Sequence, residues 1–445
     1  MSNLAILGGS KAVTKDPGDI FAWPIYTREE EEAVLNVLRE RSMSATAITV
    51  EFEKEFAKWQ GSKYGVGYTN GTMALIAAMF AIGIGHGDEI ICPSITYWAS
   101  IVSAYSLGAT PVFADIDPDT LCIDPQDIER CISGRTKAIM VVHYLGHPAD
   151  MDAIMAVAQK HNLKVIEDHS HAQGGFYKGR RLGTIGHVSA TSLMSGKSFA
   201  IGEAGMLTTD DSTVYERAIA ACHYERFDET ITSPELKPYM GLPLLGMKGR
   251  VNQFGSAIGL VQLKYYDERI KEIRKAMNYF WDLLEGVPGI KAHRVDEKDG
   301  SNMAGWYIPH GLYKSEELGG LSVTRFCEAL TAEGVETSAG VNNPLHIHGL
   351  FKTADVYNQG MPTRIANAAR DVRELDRMLP HSNMANSRTY EVPWFKHFRP
   401  EIIEEYANAF KKVSAGYKEL LEGDKGNNPE AMGIGRWFFY KDPDK

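Results

Sequence analysis

Short apolar runs alternate with helix-forming segments along this chain, and that alternation restricts the fold more than any other feature. Helical patterns at residues 98–107, 125–132 and 151–161 separate several of the apolar runs. Strands that are joined through helices form a mainly parallel sheet, which the helices cover on both faces. The sequence therefore predicts an α/β protein with a three-layer αβα fold, whose central layer is a seven-stranded, mostly parallel sheet. The predicted strands are 64–68, 89–93, 110–115, 137–143, 164–168, 188–192 and 206–209.

Beyond these strands the pattern changes and predicts a second, smaller domain. We divide the chain into an N-terminal arm with a large domain, 1–270, and a small C-terminal α+β domain, 271–445. The small domain is expected to hold a strand at 305–309. Its extended tail, 423–445, carries Trp437-Phe-Phe-Tyr440, an apolar cluster that we expect to dock on its own or a neighbouring subunit.

Lys197 and Asp168 are a lysine and a carboxylate whose positions in the predicted fold indicate one kind of site. Asp168 ends an apolar strand, and Lys197 lies in the turn after the next strand. A pyridoxal-phosphate enzyme needs one lysine to form a Schiff base with the cofactor aldehyde and one buried carboxylate to keep the pyridine nitrogen protonated. Taken singly, a lysine is most often a surface charge, and an aspartate at a strand end is a turn or cap residue. Together, they predict a pyridoxal-phosphate site.

The turn Asn70-Gly71-Thr72 predicts a phosphate site. It stands between a strand and an apolar helix. The free N–H groups and positive dipole end of a helix N-terminus attract an anion, and glycine lets that anion approach closely. The alternative is an ordinary N-cap at Asn70 or Thr72. This turn, Tyr97 and Asp168 all fall at the carboxyl ends of strands, where function gathers in such folds.

Composition excludes several classes of partner. The net charge of −10 argues against nucleic acid or an anionic membrane as a partner. The 5 cysteines are scattered and odd in number, which indicates reduced thiols in a cytoplasmic protein. No stretch approaches the roughly 18 apolar residues needed to span a membrane.

A metal site is the rival interpretation of the histidines. Imidazole is a common zinc or iron ligand. However, no Cys-x-x-Cys or His-Glu-x-x-His pattern accompanies them, so we predict no metal. The candidate pairs are His143 and His147, His169 and His171, and His346 and His348.

These motifs together resemble the DegT family of fold-type I pyridoxal-phosphate enzymes, which contains the sugar aminotransferases. The resemblance runs from about Leu4 to Val413. It is carried by Asn70-Gly-Thr-Met-Ala-Leu75, Pro93-Ser-Ile-Thr-Tyr-Trp, Val142-His-Tyr-Leu-Gly-His-Pro-Ala-Asp-Met-Asp152, Ile166-Glu-Asp-His-Ser-His-Ala-Gln-Gly174 and Gly202-Glu-Ala-Gly205.

The resemblance implies a role for each matching residue. Lys197 would be the Schiff-base lysine and Asp168 the partner of the pyridine nitrogen. The remaining cofactor contacts would be Gly71, Thr72 and Ser192 at the phosphate, Tyr97 stacked on the ring and His171 near the phenolic oxygen. His346, Tyr144 and Arg250 would face the substrate.

The resemblance also implies a homodimer with shared active sites. Many relatives contribute an Asn from the partner subunit to the phosphate, at the position that is Lys248 here, and a lysine could reach it as a point charge. Met194-Ser195 and the alanine in Gly202-Glu-Ala-Gly205 also depart from the usual residues. These sites border the substrate pocket, so the departures favour a substrate outside the best-known set.

The implied activity is transfer of an amino group from glutamate or glutamine to a ketone. The ketone would belong to a sugar, nucleotide-linked by preference, or to a cyclitol, and the cofactor would pass through pyridoxamine phosphate. Related dehydrases replace the lysine by histidine, so Lys197 favours transamination. Two alternatives stay open: amination coupled to dehydration, as in an aminoaromatic acid synthase, and a non-enzymatic regulator that keeps the fold.

Overall fold

The computed structural model describes residues 3–374 and 379–433, and its centre is one seven-stranded sheet. In chain order the strands are β1 (Tyr64–Tyr68), β2 (Glu89–Pro93), β3 (Thr110–Ala114), β4 (Thr136–Val142), β5 (Lys164–Asp168), β6 (Val188–Ser192) and β7 (Gly205–Thr209). Their order across the sheet is β1-β7-β6-β5-β4-β2-β3. Only β7 runs antiparallel to its neighbours, β1 and β6. The predicted fold class, a mostly parallel sheet with flanking helices, is therefore confirmed.

Helices cover the sheet, and further helices lie in the smaller unit. The longer ones are α1 (Arg28–Arg39), α2 (Ala47–Gln60), α3 (Gly71–Ala81), α4 (Pro125–Cys131), α5 (Met151–Lys160), α6 (Ser212–Cys222), α7 (Gln253–Leu283), α8 (Val323–Ala332) and α9 (Pro400–Ala415). The helix predicted at 98–107 is confirmed in part: the segment forms two 3₁₀ helices, Trp98–Ser100 and Val102–Leu107, separated at Ile101, whose φ of −138° is not helical. The β-branched pair Ile101-Val102 disfavours a continuous α-helix there.

A second, three-stranded sheet marks the smaller unit. Its strands are β8 (Ile290–Ala292), β9 (His310–Tyr313) and β10 (Thr389–Glu391), all antiparallel. The strand predicted at 305–309 is wrong, because those residues form a loop and the strand begins at His310. The loop has left-handed backbone angles that an extended strand excludes.

Helix α7 links the two cores without interruption. Tyr266 and Ile270 pack in a cluster with α2, whereas the buried apolar residues of α7 from Ile273 onward pack in the core of the smaller unit. Leu4 and Ile20 of the N-terminal arm also enter that second core. The division at residue 270 therefore stays a proposal, and it falls within a helix.

The first part of the tail is docked on the smaller unit. Asp424 accepts hydrogen bonds from both the backbone N–H and the hydroxyl of Ser322, and Asn427 accepts one from the Val323 N–H. Met432 packs in the second core. The apolar cluster at 437–440 lies outside the described residues, so its predicted docking remains a prediction.

Candidate active site

The carboxyl ends of β1, β4, β5 and β6 converge on one cleft. The cleft measures about 1160 Å³ with its open mouth. Parallel strands bring their carboxyl ends to the same edge of a sheet, which explains why residues distant in sequence meet there. The predicted cofactor residues that line it are Gly71, Thr72, Tyr97, Asp168, His171, Ser192 and Lys197.

Lys197 is buried at the base of this cleft, in the loop between β6 and β7. The loop is held by backbone hydrogen bonds between its two sides, from Ser195 N–H to the Gly202 carbonyl and from Leu193 N–H to the Ala204 carbonyl. The indole of Trp23, in the N-terminal arm, donates to the Lys197 carbonyl at 3.0 Å. Burial lowers the pKa of Lys197 to about 7, although the Asp168 carboxylate opposes the shift. A lysine with a pKa near neutrality can act as a nucleophile and as a base.

Asp168 occupies the end of β5 and is held by two donors. The Ser100 hydroxyl donates to Oδ2 at 2.7 Å, and the Ser170 N–H donates to Oδ1 at 3.1 Å. Asp168 lines the cleft and is only 4% exposed. Its carboxylate is therefore oriented before any ligand binds and can hold a protonated nitrogen of a ligand ring.

Glu167, the preceding residue, points to the other face of β5 and anchors the strand. Its carboxylate accepts hydrogen bonds from His143 Nε2 at 3.0 Å and from the N–H groups of Gly183, Ile185 and Gly186. Burial alone would raise the pKa of Glu167, but His143 and these N–H groups hold it below its usual value. Adjacent carboxylates thus serve different purposes because side chains alternate along a strand.

The phosphate site predicted at Asn70-Gly71-Thr72 has the expected local geometry. Asn70 caps α3 by accepting from the Met73 N–H at 2.9 Å, which leaves the first N–H groups of the helix facing the cleft. Gly71 packs so closely on Ser192 that a Cβ would lie 2.7 Å from its Cβ. A Cβ on Gly205 would lie 2.3 Å from the Asn70 carbonyl oxygen. Both glycines are therefore needed for β1, β6 and β7 to close around this point.

His171 and Tyr97 lie on the walls of the cleft. His171 Nδ1 accepts from the Leu145 N–H at 3.2 Å, so the neutral ring carries its proton on Nε2. Burial and the nearby Lys197 keep the pKa of His171 well below its usual value. Tyr97 is 46% exposed. Its ring lies 5.0 Å from that of Trp98, lines the cleft and can cover a flat ligand.

The other predicted residues do not line the cleft. Tyr144 is buried behind His171 and exchanges two hydrogen bonds with Asn342. His346 is buried against Ser94, with Nδ1 2.7 Å from its hydroxyl. Arg250 pairs through its backbone with Tyr68 and points toward Glu225. Lys248 is exposed. Their predicted roles therefore stay proposals.

For several residues that line the cleft, the sequence analysis predicted no role. Ser100 positions Asp168, Asn342 lines the wall and Tyr307 lies beside Lys197. Glu203, from the Gly-rich turn, stands at the mouth. Ser100 follows Tyr97 in a segment already singled out. Asn342 and Tyr307 come from the smaller unit, and no spacing in the sequence relates them to β5.

Within residues 3–374 and 379–433, no three His, Cys, Asp or Glu side chains converge to hold a metal ion. No helix in the same ranges has the length and apolar content to cross a bilayer.

The geometry agrees with what comparison to known proteins finds. The model of the DegT/DnrJ/EryC1/StrS aminotransferase family matches residues 24–410. The GDP-perosamine synthase of Caulobacter vibrioides is 36% identical over 329 residues, which cover 73% of this chain and 85% of that protein. A putative L-glutamine:3-amino-2,3-dideoxy-scyllo-inosose aminotransferase of Micromonospora echinospora is 32% identical over 360 residues, or 79% and 83% of the two chains. The aminotransferase structure from Psychrobacter cryohalolentis superimposes with a TM-score of 0.76, at 30% identity over 89% of this chain and 99% of that one.

Proposed function

This chain belongs to the DegT/DnrJ/EryC1/StrS aminotransferase family of pyridoxal-phosphate enzymes, and from that premise we propose that it transfers an amino group from glutamate or glutamine to a ketone on a sugar or cyclitol ring. The observation that carries the proposal is the buried pair Lys197 and Asp168, which face one cleft. A regulator that only kept the fold would have no need of an oriented carboxylate and a lysine with a lowered pKa.

The residues of the cleft fit pyridoxal phosphate. The α3 N-terminus, kept open by Gly71, suits the phosphate, and Ser192 adds a hydroxyl. Asp168 suits the pyridine nitrogen, while Tyr97 and His171 lie where they can cover the ring and meet its phenolic oxygen. When bound, the cofactor supplies an aldehyde for Lys197 and an electron sink for the bond next to the amino group.

Each side chain then has a defined role in the mechanism. Lys197 would hold the cofactor, and its amino group, when free, could accept and donate a proton in the cleft, because a pKa of about 7 allows both protonation states. Asp168 holds the pyridine nitrogen protonated, with Ser100 and Ser170 fixing its orientation. The buried walls limit the access of water to the lysine.

Lys197 supports transamination over dehydration, since the family resemblance implies a histidine at this position in the dehydrases. The names of the two relatives support a polyhydroxylated keto substrate, one a nucleotide sugar and the other a cyclitol. We retain both, and glutamate and glutamine remain equal candidates for the donor.

A two-stage experiment tests this function. The cofactor-loaded enzyme is first titrated with glutamate or glutamine. We expect one of the two amino acids to convert the bound cofactor to pyridoxamine phosphate. The pyridoxamine form is then offered keto sugars, their nucleotide-linked forms and inososes, with release of the amino product followed by mass spectrometry. Formation of a dehydrated aromatic acid would replace the proposal with the coupled reaction. Absence of any donor reaction would favour the regulator.

The segment before Lys248 supports the proposal of an active site shared between two subunits. Tyr239 is 57% exposed and Leu242 is 73% exposed, which is unusual for large apolar side chains and supports burial against a second copy. Lys248 itself is exposed and outside the cleft of its own chain. We therefore propose that it reaches the phosphate in the partner subunit.

Mixed dimers give a direct prediction for Lys248. Lys248→Ala should weaken cofactor retention without changing the fold, and Lys197→Ala should be inactive. Subunits of the two variants, mixed and reassociated, should recover about a quarter of wild-type activity, since half the dimers pair the two variants and each such dimer holds one complete site. No recovery, despite demonstrated subunit exchange, would place Lys248 outside the partner's site.

A further inference from the structure

The loop that carries Tyr307 has an unusual backbone. Ala304, Trp306 and Ile308 have φ angles of 47°, 52° and 43°. Residues other than glycine rarely adopt this left-handed region, and a β-branched residue such as Ile308 does so least of all. Strain of this kind persists only where the surroundings fix it, and it concentrates at functional sites.

The packing around the loop fixes the direction of Tyr307. Trp306 is fully buried in the second core. The Trp394 indole donates to the Gly305 carbonyl at 2.8 Å, and a Cβ on Gly305 would lie 2.4 Å from the Ser198 Cβ. The loop is therefore pressed against the residue that follows Lys197, and the strained angles turn Tyr307 into the cleft.

The Tyr307 ring meets Lys197 directly. Lys197 Nζ lies 3.9 Å from the centre of the ring. His171 packs on the same ring at 4.5 Å between centroids, and Trp394 meets it edge-on at 5.7 Å. The contacts with His171 and Trp394 thus hold the ring in place, so that it keeps facing the lysine.

A ring face attracts a cation most strongly where water is excluded. The titratable groups that line the cleft with Lys197 are Asp168 from β5, His171 beyond it, Tyr97 after β2, Glu203 from the same loop and Tyr307. His171 is neutral and Glu203 stands at the exposed mouth, so Asp168 and the ring are the groups that favour the charged lysine inside the cleft.

We propose that Tyr307 is a positioning residue that receives the Lys197 amino group whenever that group is free, and that its ring face holds the group in the cleft as an ammonium ion. The ring competes with the burial that favours the neutral amine, and so keeps the group able to donate a proton. The phenolic hydroxyl is not required for this role.

The test measures the pKa of Lys197 in the full-length protein loaded with pyridoxamine phosphate, which leaves the lysine amino group free. Trace acetylation across a pH series, read by peptide mass spectrometry, reports each lysine separately. Tyr307→Phe keeps the ring and should leave the pKa of Lys197 unchanged. Tyr307→Leu removes it and should lower that pKa by about one unit. Equal values in the three proteins would overturn the proposal.

A second series separates the ring charge from packing. Fluorinated phenylalanines at position 307 keep the shape of the ring while they weaken the negative charge of its face. The pKa of Lys197 should fall stepwise with each added fluorine, also if Tyr307→Leu does not fold. An unchanged pKa across the series would mean that the ring acts only by filling space, and the proposal would be wrong.

The inference rests on the proposed role of Lys197, and one control distinguishes the two failures. Pyridoxal phosphate should protect Lys197 from acetylation in the wild-type protein. If Lys197 reacts freely in that form, the proposed function fails. If it is protected but its pKa ignores the ring, only the role of Tyr307 fails.

Discussion

Lys197→Ala is expected to give a folded protein that lacks the visible absorbance of a lysine-linked cofactor and has no measurable turnover. Loss of the proton carrier alone should reduce the rate by a factor on the order of 10² to 10⁴, and loss of covalent attachment adds to that. The absorbance spectrum and the rate of amino transfer measure the two effects separately.

Lys396 provides the matched control for that variant. It is the other buried lysine among the described residues, and burial lowers its pKa to about 7 as well. However, it lies over the Trp394 ring and does not line the cleft. Lys396→Met should therefore keep the visible absorbance. If it is lost in this variant and kept in Lys197→Ala, the assignments of the two lysines are reversed.

Asp168→Asn is expected to bind the cofactor and lose activity by a factor on the order of 10² to 10³. The amide oxygen can still accept from the Ser170 N–H, and the amide NH₂ can donate to the Ser100 hydroxyl, which can turn to accept, so the cleft should keep its shape. What is lost is the negative charge that holds the pyridine nitrogen protonated. Cofactor affinity and the single-turnover rate with the donor check the prediction, and a near-normal rate would mean that another carboxylate faces the ring.

Glu167→Gln is the comparison for Asp168→Asn, because it changes the adjacent carboxylate on the opposite face of β5. Glu167 accepts four hydrogen bonds, so an amide NH₂ there faces donors and leaves them unsatisfied. The expected loss is about 1–3 kcal/mol of folding stability. Cofactor chemistry in the protein that remains folded should be little changed, unlike that of Asp168→Asn.

The sequence was sufficient to predict the sheet and seven of the residues that line the cleft. Buried strands are read from apolar runs, and residues at their carboxyl ends meet because parallel strands share an edge. Asp168 and the Gly71 turn were predicted in this way, whereas Ser192 came from the family resemblance. Lys197 follows from the same logic, since the loop after β6 returns along the same edge.

What sequence could not supply was side-chain direction and contacts between distant segments. His346 and Tyr144 lie close to the cleft along the chain path, yet their side chains point into buried hydrogen bonds with Ser94 and Asn342. Tyr307 could not be found, because its loop adopts left-handed angles at residues that do not favour them. An apolar run of that kind predicts a strand, and the strand predicted there was wrong.

The central claim is that Lys197 is the lysine that binds pyridoxal phosphate. Borohydride reduction of the cofactor-loaded protein makes the linkage permanent, and proteolysis with peptide mass spectrometry then identifies the modified residue. We predict that the cofactor is found on the peptide that contains Lys197. Attachment to Lys396, or to any other lysine, would contradict it.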